Sequence, residues 1–106
     1  MYVLVRKDLS AAQQVVQSCH AAIEAARTLL PAEQEHPHVI VCGVRDEHAL
    51  WAAVHKLQKH GIRYRAFQEP DQGNQLTALA TEPVLDATRR LFRSLRLLTP
   101  VAKEPV

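Results

Sequence analysis

The sequence is poor in glycine, with only Gly43, Gly61 and Gly73 in 106 residues. The P-loop and the dinucleotide fingerprint both need clustered glycines, so these isolated ones exclude both phosphate-binding loops. The two cysteines, Cys19 and Cys42, are too few for a disulfide framework, and both lie in apolar runs. We therefore predict two buried free thiols in a reducing compartment.

Long apolar runs are also missing, since no stretch approaches the ~18 residues of a membrane span. Residues 1–5 are apolar but follow no basic leader, which predicts that they are not a signal peptide. A hydrophobic fraction of 47%, a charged fraction of 23% and a net charge of +2 are ordinary for one globular domain. We expect a cytoplasmic protein with a single domain over residues 1–98 and a flexible tail over 99–106.

Six histidines raise the question of a metal. His36 and His38 are two residues apart, and His20 follows Cys19 directly. Neither pair has the spacing with a carboxylate that zinc hydrolases use, and there is no paired-cysteine knuckle. We expect no metal and no cofactor.

Hydrophobic periodicity predicts the order β-α-β-α-β-β-α, with strands over residues 2–5, 38–44, 62–67 and 75–81. Ser10 and Gln13 form a capping-box pattern for the first helix, and Pro31 ends it. Asp46 is placed to cap the second helix, and Gly61 to end it in a left-handed conformation. A third helix is predicted from Pro83 through residue 95.

The first helix carries apolar residues at steps of three and four, which predicts that this face packs on the sheet. These residues are Ala12, Val15, Val16, Cys19, Ala22, Ile23, Ala26 and Leu30. Helical crossovers make the first three strands parallel, and a short link makes the fourth antiparallel to the third. The predicted fold is therefore a three-layer α/β/α domain with a four-stranded mixed sheet and helices on both faces.

Ligands in such sheets bind beyond the carboxyl ends of the strands, where residues 6–8 and 68–74 are unusually polar. Pro70 and Gly73 are typical of a simple hairpin turn. Alternatively, Asp71 or Glu69 positions a water molecule or a ribose hydroxyl, and Thr77 points into the same cleft. Periodicity leaves both interpretations open.

Two further features also have two interpretations. His20 is either a core histidine with a hydrogen-bond partner or a group beside a substrate, with small neighbours that make room for it. The basic residues near the carboxyl end either contact phosphates or form the solvated face of a helix. These residues are Arg89, Arg90, Arg93, Arg96 and Lys103.

Residues 5–9 (VRKDL) and 16–22 (VQSCHAA) resemble the opening of the type 2 peptidyl-tRNA hydrolase family, in which an Arg-x-Asp-Leu strand end leads into a Gln-x-x-His-Ala helix. The resemblance continues through Asp46-Glu47, Gly61-Ile62 and the final TALATEP segment, and covers residues 2–97. It implies a usually dimeric α/β protein that uses no metal. It also implies hydrolysis of the ester between a peptide, or a blocked amino acid, and the 3′ ribose of tRNA.

The resemblance also implies which residues line the site. The catalytic candidates are Lys7, His20, Glu69, Asp71 and Thr77. The substrate-binding candidates are Arg6, Asp8, Gln17, Asn74, Arg89, Arg90 and Arg93.

Two features depart from the family pattern. The loop before the first helix is shortened to residues 10–14 and has no lysine, and the Asp-Ala-Gly-x-Thr turn is replaced by residues 69–74. Fold-level similarity does not carry chemistry with it. A catalytically silent module that binds tRNA or a protein is therefore an alternative, as is a hydrolase or binder of a small molecule. For any of these, an exposed Leu79 or Phe67 would provide a dimer surface.

Overall fold

The computed structural model describes residues 1–99, except for the side chain of Gln72. The strands are β1 (Tyr2–Arg6), β2 (Ile40–Val44), β3 (Tyr64–Glu69), β4 (Gln75–Thr81) and β5 (Arg96–Leu97). The helices are α1 (Ala11–Leu29), α2 (Glu47–Lys59) and α3 (Asp86–Arg89). Apart from Thr99, the predicted tail lies outside the described residues. None of the helices within residues 1–99 combines the length and hydrophobicity needed to cross a membrane.

The sheet has the strand order β3-β4-β1-β2-β5. β1 is parallel to β2 and antiparallel to β4, and β4 is antiparallel to β3. The first three strands therefore run in one direction, and the predicted α/β class and strand directions are confirmed. The prediction of four strands is wrong, because residues after α3 pair with the free edge of β2 as a fifth strand.

The predicted long third helix is also wrong. It is a four-residue helix, α3, followed by a 3₁₀ turn over Arg90–Phe92 and then by β5. No side chain caps α3 at Leu85. The amide of Leu98 instead donates to the carbonyl of Val41 at 2.9 Å. Pairing with the edge of β2 satisfies backbone groups that a longer helix would leave exposed there.

The two faces of the sheet pack against different elements. Val3 and Val5 of β1 contact the cluster that contains Ala21 and Ala25 of α1. The alternating residues Tyr2 and Leu4 face α2, which buries Leu50, Val54 and Leu57. The predicted caps are confirmed, since Asp46 accepts the amide of Ala49 and Gly61 has φ +68°.

The orientation of α1 differs from the prediction. Its buried residues are Gln17, Ala21 and Ala25, whereas Val15 is 62% and Ile23 55% exposed. The predicted apolar face therefore points largely to solvent. The alanines let the helix approach the sheet closely, and Gln17 bonds to it, so close packing and hydrogen bonding outweigh the burial of larger side chains.

The rotation of α1 also corrects one thiol prediction. Cys42 on β2 is buried as predicted, and burial raises its pKa. The prediction for Cys19 is wrong, because this residue lies on the outer face of α1 and is exposed.

Candidate functional site

Thr77 is the residue that an irregularity in the β3–β4 pairing leaves unpaired. Phe67 pairs with Ala78 and Gln68 with Leu76, so the register skips Thr77. A bulge of this kind redirects a side chain, and bulges are frequent beside functional sites. The Thr77 hydroxyl is fully buried and lies 2.9 Å from Oε1 of Gln17 and 3.2 Å from the carbonyl of Phe67. The bulge therefore joins β4 to α1 through a buried polar contact.

Gln17 connects this bulge to a carboxylate. Its Nε2 donates to Glu69 Oε2 at 2.9 Å and to Gln13 Oε1 at 3.0 Å. An ionised carboxylate has no proton to donate, so the amide nitrogen must face Glu69 and the amide oxygen must face Thr77. The chain Thr77–Gln17–Glu69 is thus fixed in one orientation, although Gln17 itself is fully buried.

Glu69 ends β3 and is held at both carboxylate oxygens. Besides Gln17, its Oε1 accepts the backbone amide of Asp71 at 3.3 Å. The bond from Gln17, then that amide and the nearby charge of His20, lower the pKa of Glu69 below its ordinary value. Glu69 is therefore a half-buried, ionised carboxylate at the carboxyl edge of the sheet.

The turn after Glu69 separates the two acidic candidates. Asp71 lies in a 3₁₀ turn over Pro70–Gln72 and is exposed. Gly73 and Asn74 both adopt positive φ, which closes the hairpin and leaves Asn74 exposed at its tip. The segment therefore forms a hairpin turn and also holds a positioned carboxylate. That carboxylate is Glu69, which bonds to Gln17, whereas the side chain of Asp71 takes no part in the hydrogen-bonded series Thr77–Gln17–Glu69.

His20 lies one helical turn after Gln17 on the side of α1 that faces β3. Its ring stacks on Phe67, with ring centroids 4.6 Å apart and an angle of 11° between the planes. His20 is exposed, which rules out the core-histidine interpretation. An imidazole and a carboxylate therefore lie near each other at one edge of the sheet.

Arg6 and Asp8 form a clamp. Arg6 donates from Nε and Nη2 to the two Asp8 oxygens at 2.9 and 2.8 Å, and from Nη1 to Gln75 and to the carbonyl of Leu76. The bonds from Arg6 lower the pKa of Asp8. Arg6 is buried, and its Nη1 bonds join the end of β1 to the start of β4. Both side chains are engaged within the protein.

Lys7 is exposed at the end of β1, and its side chain passes over Gly43 of β2. A Cβ atom at Gly43 would lie 2.7 Å from both Cγ and Cδ of Lys7. Gly43 therefore provides the space in which the lysine stem runs. Lys7 shares the carboxyl end of the sheet with Glu69, but it lies beside β2 rather than beside β3.

The three predicted phosphate-binding arginines lie elsewhere. Arg89, Arg90 and Arg93 line a cavity of about 310 Å³ together with Tyr2 and Phe92. Tyr2 begins β1 and Arg6 ends it, so this cluster lies at the opposite end of the strand, about 13 Å away at ~3.3 Å per residue. The structure thus brings together Gln17, His20, Glu69 and Thr77, and leaves the arginines apart.

Three contributing residues were not predicted from the sequence. Gln13 contacts Gln17, Phe67 supports His20, and Glu47 accepts the backbone amide of Leu76 at 2.9 Å. Glu47 is the first residue of α2 and belongs to the Asp46-Glu47 segment that resembles the family. Within residues 1–99, no three His, Cys, Asp or Glu side chains converge as metal ligands do.

These features define a class: a small α/β domain with a mixed sheet and a polar site at the carboxyl end of β3, where α1 crosses it. The family model described as peptidyl-tRNA hydrolase PTH2 matches residues 1–98. The chain therefore belongs to the type 2 peptidyl-tRNA hydrolase family, as the sequence resemblance indicated. No curated protein matches the chain.

Proposed function

We propose that this protein hydrolyses the ester that joins a peptide, or an N-blocked amino acid, to the 3′ ribose of tRNA. Family membership supports the substrate class. The observation that carries the proposal is the carboxylate of Glu69, held by Gln17 at 2.9 Å and close to the exposed imidazole of His20. We propose that the protein acts in the cytoplasm.

The proposed reaction uses water as the nucleophile. Glu69 accepts a hydrogen bond from the water and aims its oxygen at the ester carbonyl carbon, while His20 accepts the water's proton. The bond from that carbon to the ribose O3′ breaks, and His20 returns the proton to the leaving oxygen. A carboxylate with a lowered pKa is a weak base, so Glu69 orients the water and the imidazole carries the proton.

Other residues have supporting roles in this proposal. Thr77 acts through Gln17, because its hydroxyl fixes the amide that holds Glu69. Asn74 contacts the ribose from the exposed tip of the turn, and Lys7 supplies positive charge farther along the same end of the sheet, beside β2. Asp8 orients Arg6, whose bonds to Gln75 and Leu76 hold the ends of β1 and β4 together.

The first test is the release of the acyl group from N-blocked aminoacyl-tRNA by the purified protein. We expect release by the native chain and its loss in His20→Ala. His20→Phe keeps a ring on Phe67 but has no titratable nitrogen, so it should fold and remain inactive. Salt-sensitive tRNA binding without release would support the silent binding module instead. Absence of both would end the tRNA assignment and favour a small ligand.

We also propose that Arg89, Arg90 and Arg93 contact the phosphates of the tRNA body, away from the reacting ester. Each lost phosphate contact should reduce the slope of log affinity against log salt by ~0.7–0.9. The triple substitution to glutamine should therefore flatten the salt dependence and raise KM, with little change in kcat. An unchanged slope would contradict this role.

The family resemblance implies a homodimer, and we propose that its two copies contact each other through the outer face of α1. The two surfaces suggested by the sequence do not suit this role, since Leu79 is fully buried and Phe67 lies beneath His20. The outer face carries apolar side chains placed symmetrically about Cys19, all exposed except the partly buried Ala22. The pairs are Val16 and Ala22, Val15 and Ile23, and Ala12 and Ala26.

This symmetry suits two antiparallel copies of α1 related by a twofold axis at Cys19, because each residue then meets its pair in the partner. Residues 11–23 contain no Asp, Glu, Lys or Arg, so no like charges oppose the contact. One helix face of about 28 by 10 Å is small beside the ~800 Å² per partner of a standard interface. We therefore expect a weak dimer whose population depends on concentration.

Sedimentation across a concentration series tests this dimer. Ile23→Glu should abolish association, whereas Leu85→Glu, at a 78% exposed position away from the helix face, should leave it unchanged. Facing Cα atoms would lie roughly 3.4–5.4 Å apart, which overlaps the range of a disulfide. Mild oxidation should therefore link Cys19 to its own copy.

The pairing also predicts a mixed cross-link. In a Cys19→Ser background, Ala12→Cys and Ala26→Cys should link only when the two variants are mixed. Linkage of Ala12→Cys to itself would contradict the antiparallel register.

A further inference from the structure

The edge of the sheet formed by β3 is unpaired. β3 is the first strand in the order β3-β4-β1-β2-β5, and within residues 1–99 it pairs only with β4. An unpaired edge presents a row of backbone N–H and C=O groups that can pair with another extended chain. The opposite edge is β5, which has two residues, whereas β3 has six. β3 therefore offers the longer row of backbone groups.

The bonds to β4 show which residues of β3 point outwards. The carbonyls of Arg63, Phe67 and Glu69 all accept hydrogen bonds from the side of β4. In an antiparallel pair, the N–H and C=O groups of successive residues point alternately towards the partner strand and away from it. The intervening residues therefore point their backbone groups to the free edge. These residues are Tyr64, Ala66 and Gln68.

The side chains of β3 leave this edge open. Charged side chains often protect an edge strand, but both arginines here are held by other parts of the protein. Arg65 Nε donates to Thr28 Oγ1 at 2.8 Å. Arg63 Nε donates to Glu82 Oε1 at 3.2 Å. The residue in the middle of the row is Ala66, which is exposed and too small to cover the neighbouring backbone.

The free edge leads directly to the proposed hydrolytic site. β3 ends at Glu69, and the ring of His20 stacks on Phe67 near the same end. In the proposed reaction the ester carbonyl lies beside Glu69 and His20, so the last residue of the substrate's peptide also lies at this end of β3. A peptide that leaves the site along β3 meets the outward groups of Gln68 first and those of Ala66 next.

We propose that the peptide of the substrate adds to the free edge of β3 as a further strand. Its carboxyl end, which carries the ester, lies at Glu69, and its amino end lies towards Tyr64, so the peptide runs parallel to β3. Its backbone exchanges hydrogen bonds with Ala66 and Gln68, as in other complexes formed by strand addition. Because these bonds use only backbone groups, peptides of different sequence bind alike. This inference rests on the proposed function, from which it takes the peptide as the occupant.

The first test compares two substrates, N-acetyl-aminoacyl-tRNA and N-acetyl-pentapeptidyl-tRNA. At ~3.3 Å per residue, a peptide of about five residues spans the outward row from Gln68 to Tyr64. Each backbone hydrogen bond should strengthen binding by about 2–10-fold, so KM should be at least about tenfold lower for the longer substrate. The values of kcat should be similar, since both substrates place the same ester at Glu69. Equal KM values would overturn the proposal.

A proline substitution tests the edge itself. Ala66→Pro removes the outward N–H in the middle of the row, and proline is tolerated at edge positions whose N–H faces solvent. The KM for the pentapeptidyl substrate should rise at least about fivefold. The KM for N-acetyl-aminoacyl-tRNA should stay at the native value, because its single residue does not reach Ala66. Ala66→Ser keeps the N–H and is the matched control. An unchanged KM for the longer substrate in Ala66→Pro would contradict the proposal.

Hydrogen exchange separates this inference from the hydrolytic activity. N-acetyl-pentaalanine amide carries the peptide without ester or tRNA, so its binding to the native chain needs no catalysis. At millimolar concentration it should slow exchange at the amides of Ala66 and Gln68, with the amides of Arg65 and Phe67, which face β4, as the reference. Slowed exchange in a chain that hydrolyses neither substrate would support the peptide edge and end the proposed function. Hydrolysis without slowed exchange would leave the function and overturn this inference. Slowing that follows the protein concentration rather than the peptide would place a second copy on the edge, and would also overturn it.

Discussion

Replacing Thr77 with valine removes one hydroxyl while keeping the branched shape of the side chain. The hydroxyl is fully buried and bonds to Oε1 of Gln17 at 2.9 Å. Without it, a buried amide oxygen loses its partner, at a cost of about 1–3 kcal/mol. For a domain of this size the melting temperature should fall by roughly 4–8 °C per kcal/mol. The amide of Gln17 also becomes free to rotate away from Glu69, so kcat for ester hydrolysis should fall.

Thr81→Val is the matched comparison. Thr81 is also a fully buried threonine on β4, but it lies at the other end of the strand, where its Oγ1 accepts the amide of Tyr2 at 3.0 Å. We expect both variants to lose stability and only Thr77→Val to lose kcat, with Thr77→Ser restoring activity. Calorimetry and acyl-release kinetics on the three variants provide the data. Equal kcat in Thr77→Val and Thr81→Val would refute the link from the bulge to the carboxylate.

Three further perturbations follow from particular contacts. Folding lowers the pKa values of Asp8 and Glu69 from their ordinary values of 3.8 and 4.5. Each ionised carboxylate therefore stabilises the fold above its unfolded pKa, and this stabilisation is lost as the pH falls through the lower folded pKa. Between pH 7 and pH 2, the melting temperature should therefore fall less steeply in Asp8→Asn and in Glu69→Gln than in the native chain. Gly43→Ala places a Cβ 2.7 Å from the Lys7 stem and should destabilise the chain, and Lys7→Ala should relieve most of that loss in a double-mutant cycle measured by urea unfolding. Arg6→Lys cannot keep the paired bonds to Asp8, so it should lower the free energy of unfolding by about 2–3 kcal/mol in the same assay. Arg27→Lys changes an exposed ion pair on α1 and should lower it by less than about 0.5 kcal/mol.

Local chemistry made part of the fold predictable. The side chains of Ser10 and Asp46 cap the helices that begin beside them, and Gly61 adopts the left-handed conformation that ends α2. Each of these features depends only on residues close in the sequence, so the sequence predicts it. Strand directions followed from the lengths of the connections. The residues of β4 were also predicted correctly, because the run lies between a polar turn and Pro83.

The orientation of α1 was not predictable in the same way. The helix has two competing faces, one with valine and isoleucine and one with alanine and Gln17, and apolar periodicity favours the first. The deciding contact joins Gln17 to Glu69 across 52 residues, which no local pattern contains. The same limit applies to the bulge at Thr77, and to β5, where two residues become a strand only because β2 offers a free edge.

We propose that Glu69, and not its neighbour Asp71, orients the water that cleaves the ester. Single-turnover release of the acyl group from N-blocked aminoacyl-tRNA, compared between Glu69→Gln and Asp71→Asn, tests it most directly. Both changes remove one carboxylate from the same turn, but only Glu69 bonds to Gln17, while Asp71 is exposed. We expect loss of the chemical step in Glu69→Gln and a native rate in Asp71→Asn. A native rate in Glu69→Gln would contradict it.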